Sequence, residues 1–234
     1  MIRQLLIRFD TSLPERQELA RWVALARALD ADLLAQLEED EALNTLAELP
    51  FATEICRSSA THRPLNSASL DRRMQRRLNL LNQLLAEIAL QQPFNWQVDR
   101  VSPHATRRPE ADSALLCIRA GFKPYRDDLR RSSKPHLAVI HSGDSASDHA
   151  LEDARRIAAE LDLPIVLLAL PDSPWHRAHD LPPGVALRTD LATLEKAQLK
   201  PLLRAWHVNL LILPAPLLRD EEAPLSEVPT LITP

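Results

Sequence analysis

The side chains in this sequence that could carry chemistry are few and scattered. His176 and His179 stand three apart, with Asp172 and Asp180 nearby. On a helical turn both imidazoles would share a face, as a metal pair requires. The sequence supplies no third ligand, and the surrounding prolines read as a solvated loop. Ser142 with His141 or His149, and Cys117 with any histidine, have the residue types of a nucleophile and its base. No nucleophile elbow or oxyanion hole accompanies them, so no catalytic residue and no metal is expected. Glycine decides more. There are three, Gly121, Gly143 and Gly184, whereas a loop that cradles phosphate needs several within a few residues so that backbone N–H groups can approach the anion. Composition therefore excludes a P-loop, a dinucleotide fingerprint and a kinase-type loop.

Two basic stretches stand out. Arg119, Lys123, Arg126, Arg130, Arg131 and Lys134 follow a strand's carboxyl end, where α/β sheets place their ligands. They read as a solvated linker, with residual anion binding as the alternative. Arg72, Arg73, Arg76 and Arg77 crowd the early turns of a long helix, where the helix dipole disfavours cations. They are expected to form a solvent face with local ion pairs, to acids such as Glu38–Glu41, or to meet a partner.

The 234 residues fit one large domain or two small ones, with 45% hydrophobic and 26% charged residues. The longest apolar run, Ile165 to Leu170, is far short of the roughly 20 residues needed to span a bilayer. The first ten residues reach an acid at Asp10 and lack a signal peptide's apolar core. A cytoplasmic, membrane-free protein is expected, with Cys56 and Cys117 kept as thiols. Residues 1–134 carry 20 Lys and Arg against 18 Asp and Glu, and residues 135–234 carry 8 against 14. That balance, with 4% aromatics, argues against a nucleic-acid binder.

The elements that must position these residues alternate. Gln4–Phe9, Asp32–Leu37, Trp96–Val101 and Ala114–Ile118 read as strands in the first half. Leu19, Trp22, Val23, Ala26 and Leu29 form a helical stripe behind a capping box at Ser12 and Glu15. A short helix is expected over Ala42–Leu49, then a loop, then a long helix from Leu70 to Gln91. In the second half Leu137–His141, Leu163–Leu170, Val185–Arg188, Val208–Leu213 and Thr230–Thr233 read as strands. Ala150, Leu151, Ala154, Ile157, Ala158 and Leu161 form a helix stripe after Ser145 and Asp148, and Leu191–Trp206 reads as helical with a kink at Pro201. Trp22, Trp175 and Trp206 read as packing residues. The strand–helix–strand order implies a parallel α/β sheet with helices on both faces. Residues 10–19 lie over 142–151 with equal spacing, so two repeats are expected, at 1–134 and 135–234. The first keeps its second helix and loses its third; the second does the reverse.

These residues resemble the universal stress protein family, whose domains open with a strand, an Asp-Gly-Ser turn and an alanine- and leucine-rich helix. Ser147–Leu151, Asn209–Leu213 and Val228–Thr233 carry the likeness best. The resemblance implies a Rossmann-like parallel sheet in each repeat, packed as a pseudo-dimer. It also implies an adenine and ribose site near the first turn and the end of the second strand, with a glycine-rich phosphate loop after the fourth. Carried over by position, Asp10, Ser12, Gly121, Ser142, Gly143 and Leu170 would line a vestigial nucleotide crevice. Thr11 replaces the glycine of the first turn, and Ser142 and Asp144 replace the aspartate and serine of the second. The phosphate loop is missing from both halves, and Asp220, Glu221 and Glu222 would repel a triphosphate. ATP binding in the family manner is therefore not expected. The reading is a non-enzymatic stress-response or adaptor protein with an unidentified protein partner, homodimerisation remaining open. A nucleotide or anion sensor with an altered crevice is the alternative, and a hydrolase of the wider nucleotide-binding superfamily comes last.

Overall fold

A computed structural model of the chain describes residues 2–9, 13–56, 59–102, 112–117, 134–177, 181, 184–218 and 228–234. In chain order these form β1 (Gln4–Phe9), α1 (Arg16–Ala28), β2 (Asp32–Glu38), α2 (Glu41–Ala47), β3 (Thr53–Ile55), β4 (His62–Pro64), α3 (Ser67–Ala89), β5 (Trp96–Val101) and β6 (Ser113–Cys117). They continue with β7 (His136–His141), α4 (Ser145–Leu161), β8 (Ile165–Ala169), β9 (Val185–Arg188), α5 (Lys196–Ala205), β10 (Val208–Pro214) and β11 (Thr230–Thr233). Short 3-10 turns occupy Pro174–Arg177 and Ala215–Leu217.

Nine strands share one sheet in the order β5-β2-β1-β6-β11-β10-β7-β8-β9. Strands from before residue 118 fill one side and strands from after residue 135 the other. Every pairing is parallel except the seam, where Thr230 opposes Cys117 and Ile232 opposes Leu115 in an antiparallel register. The expected mixed α/β architecture with a large, mostly parallel sheet is what forms. The single antiparallel pair was not anticipated, because strand direction at a seam is set by where the chain arrives and not by local pattern.

Side-chain alternation divides the core into two layers. Leu5, Ile7, Leu33, Ala35, Leu137 and Val139 pack on one face against Leu19 and Val23 of α1, Leu81 and Leu85 of α3, and Ala150 and Ala154 of α4. α1 and α4 lie against each other, so helices from both ends of the chain share that layer. Ala138, Ile140, Val166 and Leu168 face the other way, onto Leu199 and Leu203 of α5. β7 and β8 are thus buried on both faces, which explains their near-continuous apolar sequences. Each such leucine or isoleucine stabilises the fold by about 1.5–3 kcal/mol, and a one-residue slip would exchange the two layers.

Three helix starts differ from expectation. α1 is capped at Glu15, whose N–H donates to the Glu18 carboxylate at 3.1 Å, instead of at Ser12. Leu13 precedes Pro14, and a residue before proline is steered out of the helical region, so no helix can begin there. α4 is capped by Asp144, which accepts the Ser147 N–H at 2.7 Å, one residue before the expected Ser145. α3 begins at Ser67 behind the Asn66 cap, because its polar first turn hides the start from apolar periodicity. Thr53–Ile55 and His62–Pro64, expected as loop, form a small antiparallel hairpin. No helix of the described residues is long and apolar enough to cross a membrane.

Candidate functional site

The carboxyl ends of β7 and β8 bring together a hydrogen-bonded polar cluster. β7 ends at His141, fully buried, whose carbonyl accepts the Leu170 N–H at 2.9 Å. The chain then turns through Ser142, Gly143 and Asp144 into α4. Gly143 takes a φ of 95°, a left-handed conformation that costs an L-residue free energy. Its N–H folds back and donates to His141 Nδ1 at 3.1 Å. Nδ1 is therefore the unprotonated nitrogen, and Nε2 carries the proton toward Asp148 Oδ1 at 3.1 Å.

The loop after β8 closes over this turn. Ser173, buried, places its Oγ 3.1 Å from His141 Nδ1 and accepts the Trp175 N–H at 3.2 Å. Because Nδ1 is an acceptor, the Ser173 hydroxyl donates to it. The Trp175 ring stands edge-on to the His141 ring, with centroids 6.5 Å apart. A Cβ built on Gly143 would lie 2.6 Å from the Asp172 carbonyl oxygen and 3.3 Å from Pro174 Cδ. The chain's own residues 170–177 thus occupy the mouth between the β7 turn and the end of β8.

Below that loop the turn is internally satisfied. Ser142 Oγ donates to Asp144 Oδ2 at 3.0 Å and lies 2.9 Å from Ser147 Oγ, while Ser142 N–H donates to Ser147 Oγ at 3.1 Å. Burial acts to raise the Asp144 carboxyl, but the Ser147 N–H and the Ser147 and Ser142 hydroxyls outweigh it and hold the group below its ordinary range.

Ser173, His141 and Asp148 form a serine–histidine–carboxylate chain, but its geometry is that of a latch. The serine is 4% exposed, and its oxygen is turned onto Trp175 N–H. The acceptor nitrogen already holds the Gly143 N–H. Among the described residues this hydroxyl is buried, whereas a nucleophile must be open to its substrate. Ser142, considered with His141 on sequence, bonds Asp144 and Ser147 instead.

Of the six residues expected in the crevice, Ser142, Gly143 and Leu170 come together in this cluster. Asp10, Ser12 and Gly121 lie outside the described residues. So do Asp220, Glu221, Glu222, and the basic residues from Arg119 to Arg131. Lys134 pairs with Asp162 at 2.5 Å. After β10, where the resemblance would start a phosphate loop, Pro214 leads into the turn Ala215–Leu217, and Leu217 and Leu218 pack on the second core layer. His176 Nε2 lies 3.2 Å from the Thr189 carbonyl, while His179 and Asp180 are outside the described residues. Arg73 of the α3 arginines pairs with Glu54, not with the acidic run at 38–41. Trp22 rests against Phe9, and Trp206 against His136 and under Arg188, as packing residues would. Trp175, expected as a packing residue, packs edge-on against His141; sequence reading missed Ser173, which stands more than 30 residues from His141 and has only its place in a proline-rich stretch as a signal.

No family model and no curated protein matches the chain. Solved structures do. A universal stress protein from Archaeoglobus fulgidus superposes with a TM-score of 0.51 at 10% identity, covering 97% of this chain and 95% of that one. A putative universal stress protein from Pseudomonas aeruginosa gives 0.49 at 10% identity, over 99% and 93% of the two chains. A functionally unknown protein from the same species gives 0.49 at 10% identity, over 99% and 92%. The likeness read from Ser147–Leu151, Asn209–Leu213 and Val228–Thr233 is therefore one of architecture: the chain has the α/β fold of the universal stress protein structures.

Proposed function

We propose that the chain is a non-enzymatic adaptor with a universal-stress-protein fold, acting through protein contacts and not binding ATP in that family's manner. The observation that carries this reading is the closed mouth at β7. Gly143 is packed onto the Asp172 backbone, and Ser173 and Trp175 are bonded over His141. A nucleotide entering there would have to displace residues 170–177 and break the bonds that the Ser173 hydroxyl and the Leu170 N–H make to His141. Each unmade buried hydrogen bond costs about 1–3 kcal/mol. In this reading residues 1–134 and 135–234 are two unequal repeats forming a pseudo-dimer, with β6 and β11 at its seam. The protein works in the cytoplasm, in stress response, without nucleic acid or membrane.

The test is thermal melting with ATP, AMP and cyclic nucleotides, with and without magnesium. A ligand present at 100 times its dissociation constant stabilises by about 2.7 kcal/mol, enough to raise the melting temperature by several degrees. The expected result is no shift. A reproducible rise with any of them would replace the adaptor with a sensor.

A further inference from the structure

Six large apolar side chains are exposed among the described residues. Four of them, Leu46, Leu49, Phe51 and Ile55, fall within ten consecutive positions. Isolated exposed leucines are ordinary, but a cluster marks a surface that something covers. Phe51 is 77% exposed and Ile55 59%. The hairpin sets this up by alternation: Glu54 turns inward to pair with Arg73 of α3, so Ile55 beside it turns outward.

The adjoining face of α3 carries Arg72, Arg76 and Leu80, four residues apart and therefore in one line at about 6 Å spacing. All three are exposed. Arg72 and Arg76 have no ion-pair partner among the described residues. Like charges four apart on a helix repel by a few tenths of a kcal/mol. An acidic partner would turn that term favourable. Two copies meeting face to face would oppose these arginines instead, so self-pairing here is disfavoured. A polynucleotide would gain from the arginines but not from the aliphatic side chains of Leu46, Leu49 and Ile55.

We infer that the end of α2, the β3–β4 hairpin and the exposed line of α3 form a docking surface for a protein segment that carries acidic residues beside large apolar ones. This rests on the adaptor reading and gives its partner a chemistry. Selection from a phage-displayed library of random 16-residue peptides, using the full chain as bait, tests it. Enriched peptides are expected to combine Asp or Glu with Leu, Ile, Phe or Trp. Their binding should weaken at least tenfold on Arg72→Glu/Arg76→Glu and on Phe51→Ser/Ile55→Ser. Arg155→Glu/Arg156→Glu on α4 should leave it unchanged. The substituted residues are exposed except Arg155, which is half-buried, and a melting curve checks that each variant stays folded. Peptides without acids, or binding indifferent to both docking variants, would overturn the inference and leave the adaptor reading standing. Failure to enrich any peptide would overturn both. A labelled 20-nucleotide RNA that binds through Arg72 and Arg76 would reassign the surface to nucleic acid.

Discussion

Gly143 sits against the backbone of Asp172, so that a methyl group added to the glycine would meet the Asp172 carbonyl oxygen at 2.6 Å. That contact ties the turn after β7 to the loop after β8, and the remaining bonds of the cluster reinforce it.

Gly143→Ala should therefore destabilise by roughly 2–4 kcal/mol, combining left-handed backbone strain with a displaced loop. Gly184 is the control. Its φ is also positive, at 80°, but nothing lies within 4 Å of the added Cβ. Gly184→Ala should cost only the strain, about 1–2 kcal/mol. Urea unfolding of both variants checks this; equal losses would mean that Gly143 is not packed as described.

His141 should carry its ring proton on Nε2, because Nδ1 accepts the Gly143 N–H. Nitrogen-15 correlation spectra of the ring distinguish the two tautomers directly. In Ser173→Ala the tautomer should persist, since Gly143 and Asp148 still hold it, while stability falls by about 1–3 kcal/mol. A proton found on Nδ1 would break the proposed latch.

Most strands were legible in the sequence. β1, β9 and β11 span the residues expected of them, because alternating or apolar short segments bounded by turn residues mark a strand whether it lies inside the sheet or at its edge. The polar details were not. Ser12, Ser145 and Leu70 each looked like a helix start by spacing, yet the caps are Glu15, which follows Pro14, Asp144, whose carboxylate accepts the Ser147 N–H, and Asn66, before a polar first turn. The site was half legible. Ser142, Gly143 and Leu170 were expected from their places at the ends of two neighbouring strands, whereas Ser173 and Trp175 reach His141 only through tertiary folding.

Asp144→Ala should cost about 1 kcal/mol near neutral pH, the usual worth of an N-cap. The native Asp144 carboxyl is held below its ordinary range, so its contribution is present above the unfolded value of about 3.9 and is lost as pH falls through the lower folded value. The difference in unfolding free energy between variant and parent should shrink below about pH 4. A difference independent of pH would contradict the assigned role.

Asp153 on α4 behaves in the opposite sense. Burial raises its carboxyl, against the pull of Arg156 and His149, so the charged form is penalised in the folded state. Asp153→Asn should therefore stabilise at pH 7, and the gain should fade as pH drops through the raised folded value toward about 3.9. Denaturant titrations at pH 7 and pH 4 read both numbers; a variant less stable at pH 7 would reverse the assignment.

The closed mouth at β7 is tested most directly by amide proton–nitrogen spectra of the chain titrated with ATP and magnesium. The amides of Gly143, Ser147, Ser173 and Trp175 are predicted to stay in place at millimolar nucleotide. Saturable shifts of these four signals would show that the mouth opens for ATP after all.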